Sequence, residues 1–432
     1  MFSLRSIAVA ICAFLLSFYC QNAFADSSQV KVELPDAAAL GMGAFTGEAD
    51  RPSAVYYNPA GIVQMNSPEV SADLTWIQPQ MKFESTSGVP SEMKEDNYLF
   101  PSFFATTPII KDKLYLGIGE STDFAGGNDW EGNGYSRYNT IKDSLTDMDY
   151  RIALAYKVND QWSFGFAPVI DYSNIEHDVA IYQLGAPPGD GNALFKANDT
   201  SFGFDLAAMF KLNAQNQFGL TYKSPISHKY DGRLYLSNLA PLGLGSSGYF
   251  NASSANIDAT EKLTLPQSVT LGYDFKPTNK WTFNFDLEWT DWAQVRQQII
   301  DYPGVTAAEA TALSSGAVQA RNWRSVWSEA IGAQYAVTDR FRVRTGFQHH
   351  QSFVPQSNFD TDYPDLTSNG VSAGFGYDIT SRLTVDVAYA GAFEDTRKVT
   401  STIGVVSVGQ NNLSGKYSGF VNIGLLTLTY KF

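Results

Sequence analysis

Cysteine is nearly absent. The chain has 2 in 432 residues, Cys12 and Cys20, and both lie within the first 25. A disulfide framework and a cysteine-based zinc site are excluded together. Histidine is almost as scarce, with His177, His228, His349 and His350 as the full set. None falls in a metal-ligating spacing such as His-Glu-x-x-His, and no metal or other cofactor is expected. Alternation along a strand sends His349 and His350 to opposite faces, so they cannot share a site. No strand arranges a lipid-facing serine, histidine and acid, so an enzyme is not expected. Charged residues make up only 17%, and their balance is acidic at −14, which argues against a nucleic-acid partner. Long apolar runs are missing as well. The single one, Ile7 to Tyr19, is shorter than the roughly 20 residues a spanning helix needs.

Arg5 precedes that run and Ala23-Phe24-Ala25 follows it. Residues 1–25 therefore have the basic head, apolar core and small-x-small cleavage site of a secretory signal peptide. Tyr19 stands where a lipidation signal at Cys20 would need a small residue. Cleavage would leave 407 residues beginning at Asp26, free of cysteine, with 29 basic against 44 acidic side chains. No linker, low-complexity tract or shift in composition divides them. Aromatic residues are plentiful at 14%. One class fits an exported, undivided, aromatic-rich chain without spanning helices: a single large β-barrel in a bacterial outer membrane, whose alternating strands average to mild hydropathy.

The alternation is visible. Trp162, Phe164 and Phe166 are separated by Ser163 and Gly165. Trp281, Phe283, Phe285, Leu287 and Trp289 alternate with Thr282, Asn284, Asp286 and Glu288. Leu383, Val385, Val387 and Tyr389 do the same with Thr384, Asp386 and Ala388. A soluble sandwich has such stripes too, with the apolar face inward. Three features select the barrel. Tight polar turns recur at 110–113, 158–161, 213–216, 277–280, 337–340 and 379–382, most followed at once by an aromatic or large apolar residue. The connections at the opposite strand ends are long, around 122–146, 175–198, 228–264 and 298–323. The chain also ends in Leu426, Leu428, Tyr430 and Phe432, an alternation of the kind read by barrel-insertion machinery. Counting hairpins predicts an all-β fold, a 14-stranded antiparallel transmembrane barrel over residues 67–432. Its outer face would meet outer-membrane lipid and lipopolysaccharide.

Residues 26–66 do not read as a strand. They hold Ala37-Ala38-Ala39, Gly41-Met42-Gly43, Gly47 and Asn58-Pro59-Ala60-Gly61. They are neither charged enough nor poor enough in apolar residues for a disordered tail. Fourteen strands enclose more space than their own side chains fill, so a hatch (plug) inside the lumen is expected. Here the chain resembles a known family. The run from Gly41 to Ala49 followed by Asn58-Pro59-Ala60-Gly61 is similar to the N-terminal hatch of the FadL-type long-chain fatty-acid and hydrophobic-compound transporters. The likeness continues at Trp162-Ser163-Phe164-Gly165, Thr221-Tyr222-Lys223-Ser224, Leu263-Thr264-Leu265-Pro266 and Trp289-Thr290-Asp291-Trp292-Ala293-Gln294. Val354-Pro355-Gln356 and Pro364-Asp365 extend it toward the C-terminus.

That resemblance implies a mechanism. A hydrophobic ligand docks on the extracellular loops, passes to a pocket in the barrel, and leaves as the hatch moves and the third strand's wall breaks. Asn58, Pro59, Ala60, Gly61, Gly41 and Gly43 are the gating residues it points to. Gly117 and Gly119, in a third strand read as Leu114 to Glu120, are kink candidates, or they simply make room for the hatch. Two loops are rich in apolar side chains: Leu239, Leu242, Leu244, Tyr249 and Phe250 in one, Ile181, Tyr182 and Leu184 in the other. They form a docking surface unless the loops fold over one another and bury them. Arg151, Lys223, Arg342 and Arg344 fall on lumen faces and are the possible contacts for a carboxylate. Arg342 and Arg344, near the short turns, are expected to pair with hatch acids such as Glu48 or Asp50. Burying about 16 methylenes at roughly 0.8 kcal/mol each bounds the gain near 12 kcal/mol. Docking costs several kcal/mol of that, so passive capture needs no energy source. The expected function is uptake of long-chain fatty acids or similar hydrophobic compounds. A channel for monoaromatic hydrocarbons is the alternative, and a general diffusion porin a more distant one.

Overall fold

Side-chain exposure settles which way the stripes face. Trp162, Phe164 and Phe166 are 40%, 49% and 45% exposed, while Ser163 and Ala167 between and beside them are 4% and 0%. Large apolar residues point outward and small or polar ones inward, the inverse of a soluble sandwich.

The computed structural model describes residues 31–32, 35–183, 189–239, 253–400 and 413–432; the expected signal peptide lies outside them. Fourteen antiparallel barrel strands form: β1 (Glu69–Ser85), β2 (Tyr98–Ile110), β3 (Leu114–Ser121, resuming as Ala125–Asp129), β4 (Lys142–Lys157) and β5 (Trp162–Ile181). They continue as β6 (Gly191–Lys211), β7 (Asn216–Lys223, then Ile226–Ser237), β8 (Ala255–Leu265, then Ser268–Phe275) and β9 (Trp281–Thr290, then Gln297–Asp301). The last are β10 (Val318–Ala320, then Val326–Ala336), β11 (Phe341–His350), β12 (Ser368–Asp378), β13 (Leu383–Val399) and β14 (Gly415–Lys431). Pro225 and Pro266 sit in the interruptions of β7 and β8, where a residue without N–H cannot continue a ladder. β1 pairs with β14 from Glu69↔Lys431 to Ser85↔Gly415. That pairing closes the barrel and leaves no open edge.

The short turns share one chemistry. The Asn159 side chain accepts from the N–H groups of Gln161 and Trp162, and Asn213 accepts from Gln215 and Asn216. Thr278, Thr338 and Thr380 each accept in the same way from the residues two and three positions on. A short side-chain oxygen thus replaces the backbone acceptor that a tight turn lacks. Aromatic pairs gather beside these turns, Trp162 on Phe210 at 4.5 Å and Trp281 on Tyr335 at 4.7 Å.

The wall is broken at β3, but not where the glycines suggested. β3 pairs with β4 without irregularity from Leu114↔Tyr156 to Ser121↔Asp149, straight through Gly117 and Gly119. A Cβ on Gly117 would lie 2.5 Å from Val55 Cγ2, and one on Gly119 2.6 Å from Phe104 Cδ1. These glycines make room for neighbouring side chains instead of bending the strand. The interruption falls at residues 122–124. Beyond it, Ala125–Asp129 pair with β4 alone. Residues 98–102 of β2 pair with β1, while the β2–β3 ladder stops at Phe103↔Glu120. No strand pairing among the described residues spans that stretch of wall.

Residues 35–66 lie across the lumen. Helix α1 (Ala37–Met42) packs on β10–β14, and the 3₁₀ turn Pro59–Gln64 packs on β3–β6 at the opposite wall. The short helix α2 (Ala54–Tyr57) packs beside that turn, on β3 and β4. Above, apolar side chains of the upper strands and loops form one continuous cluster that includes Trp130, Trp292, Trp323, Phe353 and Tyr363.

Candidate functional site

The site is the space between the N-terminal segment and the loops. Its floor is built by capping. The Asp36 side chain accepts from the N–H groups of Ala38 and Ala39 at the start of α1. The same carboxylate takes the Ser53 hydroxyl at 2.7 Å and Arg51 at 3.2 Å, tying the two ends of the segment together. Gly43 ends α1 in the left-handed region at φ 72°, where L side chains are strained. Asn58 caps the 3₁₀ turn through Ala60 N–H, and its amide donates to Thr46 O and to Ala208 O on β6. Pro59 occupies the first position of that turn, where a missing N–H costs nothing. Ala60 O accepts from Ser163 of β5 at 2.9 Å. Gly61 fits because a Cβ there would stand 2.3 Å from Ala49 O, and Gly41 lies against Arg344 and Gly374.

Charge fixes the floor to the wall. Asp386 on β13 accepts from Arg51 of the segment and from Arg344 of β11, each at 2.6 Å. Arg342 is held by Asp378 at 2.7 Å. The expected pairing of Arg342 and Arg344 with Glu48 or Asp50 is therefore corrected. Strand neighbours on β12 and β13 supply the acids, and Glu48 goes instead to Lys276 and Asn284.

Arg151 and Lys223 stand at the broken wall. Arg151 binds Asp123, Asp149 and Asp205, and Lys223 binds Asp123 at 3.0 Å. The Tyr56 ring of the N-terminal segment lies 3.5 Å from the Lys223 ammonium and 5.1 Å from the Arg151 guanidinium. Asp147 on β4 accepts from the N–H groups of Asp123 and Phe124. A carboxylate thus replaces the ladder partner that the interrupted strand loses. Asp147, Asp149 and Asp171 bring oxygens within 4.8 Å of one another. Asp147 is spent on backbone N–H, Asp149 on Arg151 and Asp171 on His228, so the trio belongs to the ion-pair lattice.

The chamber itself is narrow, with a cavity volume of about 80 Å³, below the usual range of a small-molecule site, so side chains must move aside to admit a ligand. Ile77, Trp292, Val326, Phe353, Leu366 and Val421 give it apolar walls, while Lys31, Gln348 and His350 give it a polar side. Trp292 stacks on Phe353 at 4.3 Å, and Trp323 meets the edge of Phe353 at 4.8 Å. The roof is tied from three loops. Arg321 joins Asp360 and Asp362, Trp130 donates to Thr361 O, and Asn128 donates to Asp362 O. Burial pushes the Asp360 carboxyl up to about 7 despite Arg321.

The apolar loop residues divide. Leu239 is 2% exposed and buried in the upper cluster, not on a surface, because the loops fold over it. Ile181 packs on that cluster at its margin, and Tyr182 meets the edge of Tyr138 at 5.6 Å. Leu184, Leu242, Leu244, Tyr249 and Phe250 lie outside the described residues. Sequence reading missed Arg321, Lys31 and Phe353. Trp292 stood inside a quoted motif, but nothing in the motif said that it faced a chamber.

A family profile described as outer membrane protein transport protein (OMPP1/FadL/TodX) matches residues 18–432. A long-chain fatty acid transport protein of Salmonella typhi is 26% identical over 391 residues, covering 82% of this chain and 85% of that protein. Among solved structures, a Pseudomonas aeruginosa FadL homologue aligns with a TM-score of 0.79 at 19% identity, covering 94% of this chain and 100% of that one. The Pseudomonas putida toluene transporter TodX aligns at 0.71 and 15%, covering 93% and 99%.

Proposed function

The chain belongs to the outer membrane protein transport family (OMPP1/FadL/TodX), whose members are transport channels and not enzymes, and from that membership we propose that it carries long-chain fatty acids or similar hydrophobic compounds inward through the lumen chamber. Monoaromatic hydrocarbons are the second substrate class, favoured by the aromatic stack of Trp292 and Phe353. The observation that carries the reading is an apolar chamber lined by the loop residues Phe353 and Leu366 and continuing into a second space lined by Ala39, Phe45, Tyr56 and Tyr57 of the N-terminal segment. Residues 26–66 act as the hatch, with Asn58, Pro59, Ala60 and Gly61 seating one end and Gly41 and Gly43 the other. Ligand leaves through the interrupted wall at residues 122–124 or past the hatch. The outward aromatic residues serve contact with outer-membrane lipid and lipopolysaccharide, and the terminal Leu426, Leu428, Tyr430 and Phe432 serve the insertion machinery.

The test is uptake of labelled oleate and labelled toluene by cells that lack their own transporter and express this chain. Uptake of either above the empty-vector control is the expected outcome. No uptake of either, with the barrel inserted, would remove transport of these compounds as the function.

A further inference from the structure

We propose, on the premise that the chamber is the transport route, that it takes hydrophobic molecules without an ionised head group, a fatty acid in its protonated form or a hydrocarbon, and disfavours the carboxylate anion. Three adjoining spaces make up the route: the chamber, its extension down to Phe45 and Tyr57, and a smaller space at the interrupted wall. All three are lined by Lys31, and the only other Lys or Arg side chains lining them, among the described residues, are Arg151 and Lys223.

None of these cations is available without displacing a protein acid. Lys31 is paired with Glu288. Glu288 is itself anchored by the hydroxyls of Thr270 and Thr290. Arg151 is shared among Asp123, Asp149 and Asp205, and Lys223 goes to Asp123. The same spaces are lined further by Asp286, Glu329 and Asp365. Seven carboxyl groups therefore face three lysine and arginine side chains. A ligand carboxylate entering here must evict a protein carboxylate from its cation or lie among like charges out of water, and both are costly. An uncharged ligand meets no such cost. Trp292 and Phe353 offer it flat apolar faces.

Oleyl alcohol and oleate share a chain and differ in the head group, so they isolate the charge. Their labelled forms are bound to the purified full-length barrel in a neutral detergent at about pH 8. The alcohol is expected to bind at least about tenfold more tightly than the anion. Glu288→Gln releases Lys31, and it should raise oleate affinity relative to the alcohol by about tenfold. Asp205→Asn, which frees one donor of Arg151, should move the ratio the same way if the first variant does not fold. Oleate binding as tightly as the alcohol in the unaltered protein overturns the proposal and leaves the transport reading intact. A ratio unmoved by either folded variant also overturns it. Binding of neither ligand overturns the transport reading and this proposal with it.

Discussion

Below the chamber, the N-terminal segment meets the barrel through backbone atoms and charge; above it, the loops meet one another through aromatic rings. The lower contact is close. A Cβ on Gly332 of β10 would stand 1.9 Å from Met42 O, one on Gly219 of β7 2.2 Å from Thr46 O, and one on Gly165 of β5 2.4 Å from Ala60 N. The upper contact is between side chains, with ring centroids 4.3 Å to 5.9 Å apart around Trp292. The difference decides what a ligand can replace. A hydrocarbon can substitute for ring-to-ring contact at little cost, because dispersion is not selective about its partner. It cannot substitute for a hydrogen bond or an ion pair. The rings around Trp292 can therefore yield to an apolar ligand directly, whereas the polar ties of the floor, like those of Arg321 with Asp360 and Asp362 in the roof, yield only when broken.

The strongest way to break this contrast is at Asp386. Replacing it with asparagine keeps the shape and removes the charge shared by Arg51 and Arg344. Breaking a buried pair from one side costs about 3–5 kcal/mol. In Asp386→Asn, the barrel should remain intact by its heat-resistant electrophoretic mobility, while residues 35–66 lose their seat. Chymotrypsin should then cut after Phe45, and planar bilayers should register a steady conductance that the unaltered protein lacks. Persistent protection of Phe45 would mean that charge does not hold the floor. Gly332→Ala tests the other tie. Overpacking costs about 1–3 kcal/mol, and here the obstacle is the backbone carbonyl of Met42 and not a side chain that can swing away. Conductance should rise by less than in Asp386→Asn, and silent insertion would show that the close approach is slack.

Much of this was legible in the sequence, and the reason differs by region. The strands and turns were readable because two-residue alternation and a turn oxygen at Asn159, Asn213 or Thr338 are local signals. Partners were not. Arg344 and Asp386 are 42 residues apart and meet across β12, and sequence spacing does not encode that register. The broken wall was anticipated at the right strand and misplaced along it. Glycine attracted the assignment, yet Gly117 is needed against Val55, and the interruption rests on the Asp147 carboxylate of the neighbouring strand. The roof was least legible, because Arg321 comes together with Asp360 and Asp362 only after two loops have folded. Apolar loop residues gave no sign that Leu239 would be covered.

The smallest predicted effect separates roof from floor by pH. Asp365 lies in the loop between β11 and β12, accepts from the Phe353 N–H, and is 6% exposed. Burial pushes its carboxyl up to about 7, against the pull of Ser352, Phe353, Arg397 and Arg324. The folded loop thus holds a proton that an opened, solvated loop releases near the ordinary value of 3.8. Closure binds more protons than opening throughout that interval, so closure is favoured as pH falls through about 7 and weakened as pH rises. Between about pH 5.5 and pH 7 a single such group contributes about 2 kcal/mol. Hydrogen exchange over residues 351–367, corrected for its intrinsic pH dependence, should be faster at about pH 8 than at about pH 5.5. In Asp365→Asn the two should converge, since the amide carries no proton to lose. Among the described residues, none of 35–66 forms a hydrogen bond or ion pair with Asp365, and their protection should not follow the same curve. Parallel loosening of both regions would mean that roof and floor open as one unit, and the contrast between them would fail.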